Sequence, residues 1–125
     1  MKKLIILSLL LSGCASMDEY DRAWYVMHAV DIAQTYQISR SNCHHESGDA
    51  QMIIGNNPDG QGVMAWGIAT AVAYNQISGK LPRWAKHVSV GYKGFTVSNN
   101  NKVGLGVSSS YCNVYDAQYN DYWMQ

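Results

Sequence analysis

The chain has 125 residues, with 9 Lys and Arg against 9 Asp and Glu, and 47% of its residues are hydrophobic. That length accommodates one domain, and so apolar a composition excludes a disordered or collagen-like chain. A formal net charge of zero provides no basic surface for a phosphate backbone, so we expect no nucleic-acid partner.

Residues 1–13 have the pattern of an export signal, in which Lys2 and Lys3 precede a short apolar run. The segment ends in Leu-Ser-Gly-Cys at 11–14, which resembles the lipobox of bacterial lipoproteins. The resemblance implies cleavage before Cys14 and acylation of its thiol, which would anchor the chain to a membrane. Ala15 after the cysteine favours the outer membrane, facing the periplasm. We therefore expect a signal peptide at 1–13, a tether at 14–19 and a single small helical domain at 20–125.

The cysteine count is consistent with export. Of the 3 cysteines, Cys14 would carry lipid, which leaves Cys43 and Cys112. Two remaining cysteines in an oxidising compartment usually pair, and closing a loop of about 70 residues would stabilise the fold by roughly 4 kcal/mol. The sequence thus predicts a Cys43–Cys112 disulfide, with a reactive thiol as the alternative.

The first half of the mature chain is predicted to be helical. A helix from about Asp18 to Ser39 begins with acidic residues, which suit the positive end of a helix dipole. Asn-Pro-Asp-Gly at 57–60 indicates a turn in which Gly60 supplies a positive φ. A second helix follows over 63–77, in which Gly67 would allow another helix to approach closely.

The segment 83–107 fits two structures. Alternating apolar residues around Asn-rich 98–101 favour a β-hairpin at about 88–107, because glycines at 91 and 94 weaken a helix. A third helix starting near Pro82 instead places Trp84, Val88, Tyr92 and Phe95 on one face.

The core resembles a group of small, largely helical bacterial envelope proteins whose activity is not established. The resemblance is carried by Asp31, Gln34 and Thr35, by Asp49, Gln51–Gly55 and Pro58, by Leu81, Pro82 and Trp84, and by Asn99 or Asn101 before Gly104. Asp49, Gln51 and Met52 depart from the group's middle motif. The resemblance implies helix over 83–107, and the predicted fold class is a mainly α bundle of three to four helices.

Two clusters offer candidate chemistry. His28, Asp31, Gln34 and Thr35 lie on one helical face and are predicted to form a buried polar network, with Arg83 or Lys86 as partners of Asp31. The run His44-His45-Glu46, with Cys43 before it and Asp49 after it, holds metal-ligand residue types. Adjacent histidines point apart and the His-Glu-x-x-His spacing is absent, so a polar loop is expected and no metal or other cofactor.

The last 15 residues contain an aromatic stripe, formed by Tyr111, Tyr115, Tyr119, Tyr122 and Trp123. Such a stripe either packs on the core or forms a surface for a partner, since Tyr and Trp are favoured in both places.

The function predicted from the sequence is that of a non-enzymatic, lipid-anchored envelope lipoprotein that binds or modulates another envelope protein. A phage-type exclusion lipoprotein is a specific version of this hypothesis. The alternative is a small metal-dependent hydrolase that uses His44, His45, Glu46 and Asp49.

Overall fold

The computed structural model describes residues 17–41, 43–44, 46 and 50–110. These residues form four helices: α1 (Glu19–Ile38), α2 (Gln51–Ile54), α3 (Gly60–Ser78) and α4 (Arg83–Lys102). The prediction of a mainly α bundle is confirmed. The β-hairpin at 88–107 is wrong, because this stretch is mostly α4 and the described ranges contain no strand, only an isolated bridge between Leu105 and Ser110.

The helix starts follow from local capping chemistry. Asp18 is the N-cap of α1 and its carboxylate accepts a hydrogen bond from the Asp21 amide at 2.9 Å, so the predicted tether overlaps the start of the helix. Asp59 caps α3 in the same way, through the amide of Gly62 at 2.6 Å. Each cap satisfies an amide that the helix leaves without a partner. The predicted turn therefore ends in a helix, and Gly60 is its first residue rather than a left-handed one.

Helix α4 forms in spite of its two internal glycines because its polar residues recur every seven positions. Lys86, Lys93 and Asn100 share one face of the helix, and that face points toward carboxylates on α1. A hairpin would place residues seven apart on opposite faces of the strand, or on different strands. Tertiary ion pairing thus outweighs the local cost of glycine, which is about 1 kcal/mol per residue.

Helix α1 is the centre of the bundle and packs against both α3 and α4, whereas α3 and α4 make little or no direct contact. The approach of α3 is close at Gly67, as predicted, since a Cβ there would lie 2.9 Å from Cγ1 of Ile32. Rings of Trp24 and Tyr74 stack with centroids 3.8 Å apart where the two helices meet. Within the described ranges the buried apolar residues are few: Trp24, Ile38, Val63, Tyr74 and Leu105.

None of the helices in the described part of the chain has the length and apolar character needed to cross a membrane.

Candidate binding surfaces

The bundle has an inverted polarity. Charged and amide side chains of α1 are buried, including Asp21, Asp31 and Gln34, while large apolar side chains of α3 and α4 are exposed. Soluble helices usually bury the apolar face and expose the charged one. An inverted arrangement is expected where the outer surface contacts another apolar surface.

The first buried cluster joins the start of α1 to α4. The Lys86 ammonium donates to Asp18 at 2.7 Å and to Asp21 at 2.9 Å, and the Tyr74 hydroxyl donates to Asp21 at 3.1 Å. The hydrogen bond from Lys86 lowers the pKa of Asp18, and the bonds to both carboxylates raise the pKa of Lys86. Burial, and secondarily the bond to Asp21, raises the pKa of Tyr74 to about 12. One ammonium thus serves two carboxylates, so the cluster keeps a net charge of about −1 at the start of α1, where the helix dipole favours negative charge and the Asp18 side chain is 47% exposed.

The second buried cluster contains Asp31, and its partner differs from the prediction. Lys93 donates to one carboxylate oxygen at 2.6 Å and Asn100 donates to the other at 3.2 Å. Lys86 is instead bound at the first cluster, and Arg83 pairs with Glu19 at the surface. The seven-residue repeat of Lys86, Lys93 and Asn100 in the sequence indicates that they share one helical face, but it does not indicate which carboxylate each one meets.

His28 occupies the contact between α1 and α3. Its Nε2 lies 2.9 Å from the Gly67 carbonyl, which is an acceptor, so we infer that Nε2 carries the proton. Thr70 lies at 2.9 Å from the same nitrogen, whereas Nδ1 has no hydrogen-bond partner among the described residues. Burial lowers the pKa of His28, which favours the neutral ring.

The remaining members of the predicted network are also buried but do not form a single cluster. The Gln34 amide donates to the Val97 carbonyl at 3.3 Å, which links α1 to α4. Thr35 is buried on the same side of α1 as Asp31, and both line one groove. All four residues are buried on α1, but His28 contacts α3, whereas Asp31 and Gln34 contact α4.

His44 is part of a hydrogen-bonded turn. Its Nε2 donates to the Val103 carbonyl at 2.6 Å, and its Nδ1 lies 2.7 Å from the hydroxyl of Ser41. The same hydroxyl accepts from the amides of Cys43 and His44, each at 3.3 Å. Both ring nitrogens are engaged, and within the ranges described no three acidic, His or Cys residues group around a metal position. His45 and Asp49 lie outside those ranges.

Two grooves lie along the bundle. The larger, of about 700 Å³, has Trp24 and Asp31 in its floor and lies between Trp66 of α3 and Val88 and Phe95 of α4. The second, of about 510 Å³, lies between α1 and α3 and is lined almost entirely by apolar residues: Ala29, Ile32, Ala33, Met64, Gly67, Ile68, Ala71 and Val107, with His28 and Tyr36.

An exposed apolar surface on α3 borders the second groove. Met64, Ile68 and Val72 are 49%, 62% and 55% exposed, and Ala65 and Ala69 are exposed beside them. We call these five residues the α3 face. Helix α3 contains no charged residue over its whole length from Gly60 to Ser78. The face can therefore bind an apolar helix without desolvating a charge.

Several predicted sites lie outside the described residues. They are Cys14, Cys112 and the aromatic stripe of Tyr111, Tyr115, Tyr119, Tyr122 and Trp123. The lipidation, the disulfide and the role of the stripe therefore stay predictions.

No protein family, curated protein or solved structure matches this chain. The assignment of function accordingly rests on the residues and geometry described above.

Proposed function

We propose that this chain is a lipid-anchored envelope lipoprotein without enzymatic activity, whose helical domain binds another envelope protein through the α3 face. The observation that carries the proposal is the uncharged helix α3, which exposes Met64, Ile68 and Val72, while two ion pairs between α1 and α4 are buried. The lipobox resemblance at Cys14 supports the anchor. The phage-type exclusion lipoprotein is one version of this proposal. The genes that flank this one would distinguish it from a lipoprotein of the bacterium itself.

The partner that suits the α3 face is an apolar α-helix. A helix lying between α1 and α3 would place side chains at helical spacing along the second groove, which Ala29 and Ala33 line. Small residues on both sides permit a close approach of the helix axes, as Gly67 does for α1.

The anchor is tested by mass spectrometry of the membrane fraction, in which we expect an acylated N-terminal Cys14. An unmodified chain beginning at Met1 contradicts it.

Peptide mapping without reductant tests the disulfide, for which we expect a Cys43–Cys112 linked peptide. The described contacts support that pairing, since His44 is bound to Val103 and Ser110 bridges to Leu105 at the same end of α4. Alkylation of both thiols without reductant contradicts it.

Partner binding is tested with two variants, each of which replaces one exposed valine with lysine, on α3 in one variant and on α1 in the other. Val72→Lys puts a charge on the α3 face, and Val26→Lys puts the same charge on α1 at a similarly exposed position, 55% against 63%. After crosslinking in native membranes, we expect Val72→Lys to abolish recovery of a specific partner and Val26→Lys to retain it. Equal recovery with both variants contradicts the proposal.

A further inference from the structure

One end of the bundle brings together the start of α1, the end of α3 and the start of α4. The Arg83 guanidinium pairs with Glu19 at 3.3 Å and lies 5.5 Å from the ring centroid of Tyr20, so α4 begins beside the beginning of α1. The short turn that follows α3 leads into α4 at the same place. We call residues 17–22 and 79–86 the anchor end, because the chain enters the bundle here from the predicted lipidation site.

The chain between the lipidation site and the anchor end is short. Cys14 precedes Met17, the first described residue, by three positions. Three residues of fully extended backbone reach at most about 11 Å. Acyl chains on Cys14 hold that residue at the surface of the bilayer. The anchor end is then held within about 11 Å of the headgroups, whatever conformation the connecting residues adopt.

The anchor end exposes a large aromatic side chain. Trp84 is 71% exposed, although it is the largest apolar side chain at this end. It is the second residue of α4, and side chains in the first turn of a helix tilt toward the N-terminus, so Trp84 leans toward the end of the bundle. Leu81 in the preceding turn is only partly buried. Tryptophan is favoured at the membrane–water interface, because its ring is apolar while its N–H can bind a headgroup.

Two exposed cations accompany this tryptophan. Arg22 and Lys80 are exposed, and neither forms an ion pair with a described residue. The carboxylates of the anchor end are already paired with Arg83 and Lys86. With four cations against three carboxylates, the anchor end keeps a net positive charge. Exposed cations beside an aromatic side chain suit a surface of anionic headgroups.

We propose that the anchor end lies on the membrane that holds Cys14, with Trp84 among the headgroups and with Arg22 and Lys80 beside anionic phosphates. Helix α3 then runs away from the membrane, and the α3 face stays on the side of the bundle, open to a partner. The proposal rests on the lipid anchor in the proposed function and does not depend on the envelope-protein partner.

Fluorescence quenching in vesicles tests this arrangement. The acylated protein is purified and reconstituted in phosphatidylethanolamine and phosphatidylglycerol, with part of the lipid carrying a nitroxide on its headgroup. Trp84→Phe should remove most of the emission that the nitroxide quenches, and because Trp84 is exposed, the change removes no buried contact. Trp66→Phe is the matched control, since Trp66 lies twelve residues before the end of α3, about 18 Å along the helix axis. It should leave the quenched emission nearly unchanged.

A charge reversal tests the part played by the cations. Lys80→Glu should reduce the quenching of Trp84 several-fold in vesicles that contain phosphatidylglycerol. Lys102→Glu makes the same change at an exposed position at the far end of α4, and it should have little effect. Equal reductions by the two variants overturn the proposed contact with anionic headgroups, because net charge alone then accounts for them.

Failure of this proposal differs from failure of the anchor. If acylated Cys14 is present and Trp84→Phe removes no more quenched emission than Trp66→Phe, the anchor holds and the proposed orientation is overturned. A purified chain without acyl groups on Cys14 overturns both.

Discussion

Replacing Lys93 with methionine is expected to destabilise the fold through the carboxylate that it leaves behind. Asp31 and Lys93 side chains are 11% and 15% exposed, and their charged atoms are 2.6 Å apart. Breaking a buried ion pair by removing one partner costs about 3–5 kcal/mol. Asp31 keeps the hydrogen bond from Asn100 and borders an open groove, so we expect a loss of about 2–3 kcal/mol in the free energy of unfolding.

Urea denaturation followed by circular dichroism measures this loss. The double variant Asp31→Leu with Lys93→Met should recover most of it, because neither charge is then left unpaired. Arg83→Met is the matched control, since its ion pair with Glu19 is exposed at 79% and 73% and should contribute little. If Lys93→Met shifts the denaturation midpoint no more than Arg83→Met does, the buried pair does not hold α4 to α1.

Three further predictions follow from the packing and from His28. Gly67→Ala should destabilise the protein by about 1–3 kcal/mol, because the new methyl group would press on Ile32 of α1; thermal denaturation measures it. Gly94→Ala should stabilise it by about 0.5–1 kcal/mol, because nothing described lies within 4 Å of the added Cβ and alanine favours the helix. Burial lowers the pKa of folded His28 below its ordinary value of 6.5, so the unfolded chain binds the proton more readily and stability should fall as the pH drops below that value. His28→Gln should reduce this dependence, as measured by urea midpoints at neutral and mildly acidic pH; an unchanged slope would show that burial of His28 has no part in it.

The sequence by itself determined where helices can begin, because those signals are local. The acidic start of α1, the Asn-Pro-Asp-Gly turn before α3 and Pro82 before α4 all act within a few residues, through caps and a restricted φ. The burial of Asp31 and His28 was also predictable, since both fall on one face of an uninterrupted helix.

The tertiary structure decided which of those segments contact one another and through which residues. Propensity left 83–107 between hairpin and helix, and the carboxylates of Asp21 and Asp31 on another helix favour the helix by pairing with Lys86 and Lys93. Those pairs join residues more than 60 positions apart, so no local pattern could assign Lys93 rather than Arg83 to Asp31. Periodicity identifies a face of a helix but not the element that it meets. For the same reason, only the packing of α3 and α4 against α1 defines the grooves and leaves the α3 face exposed.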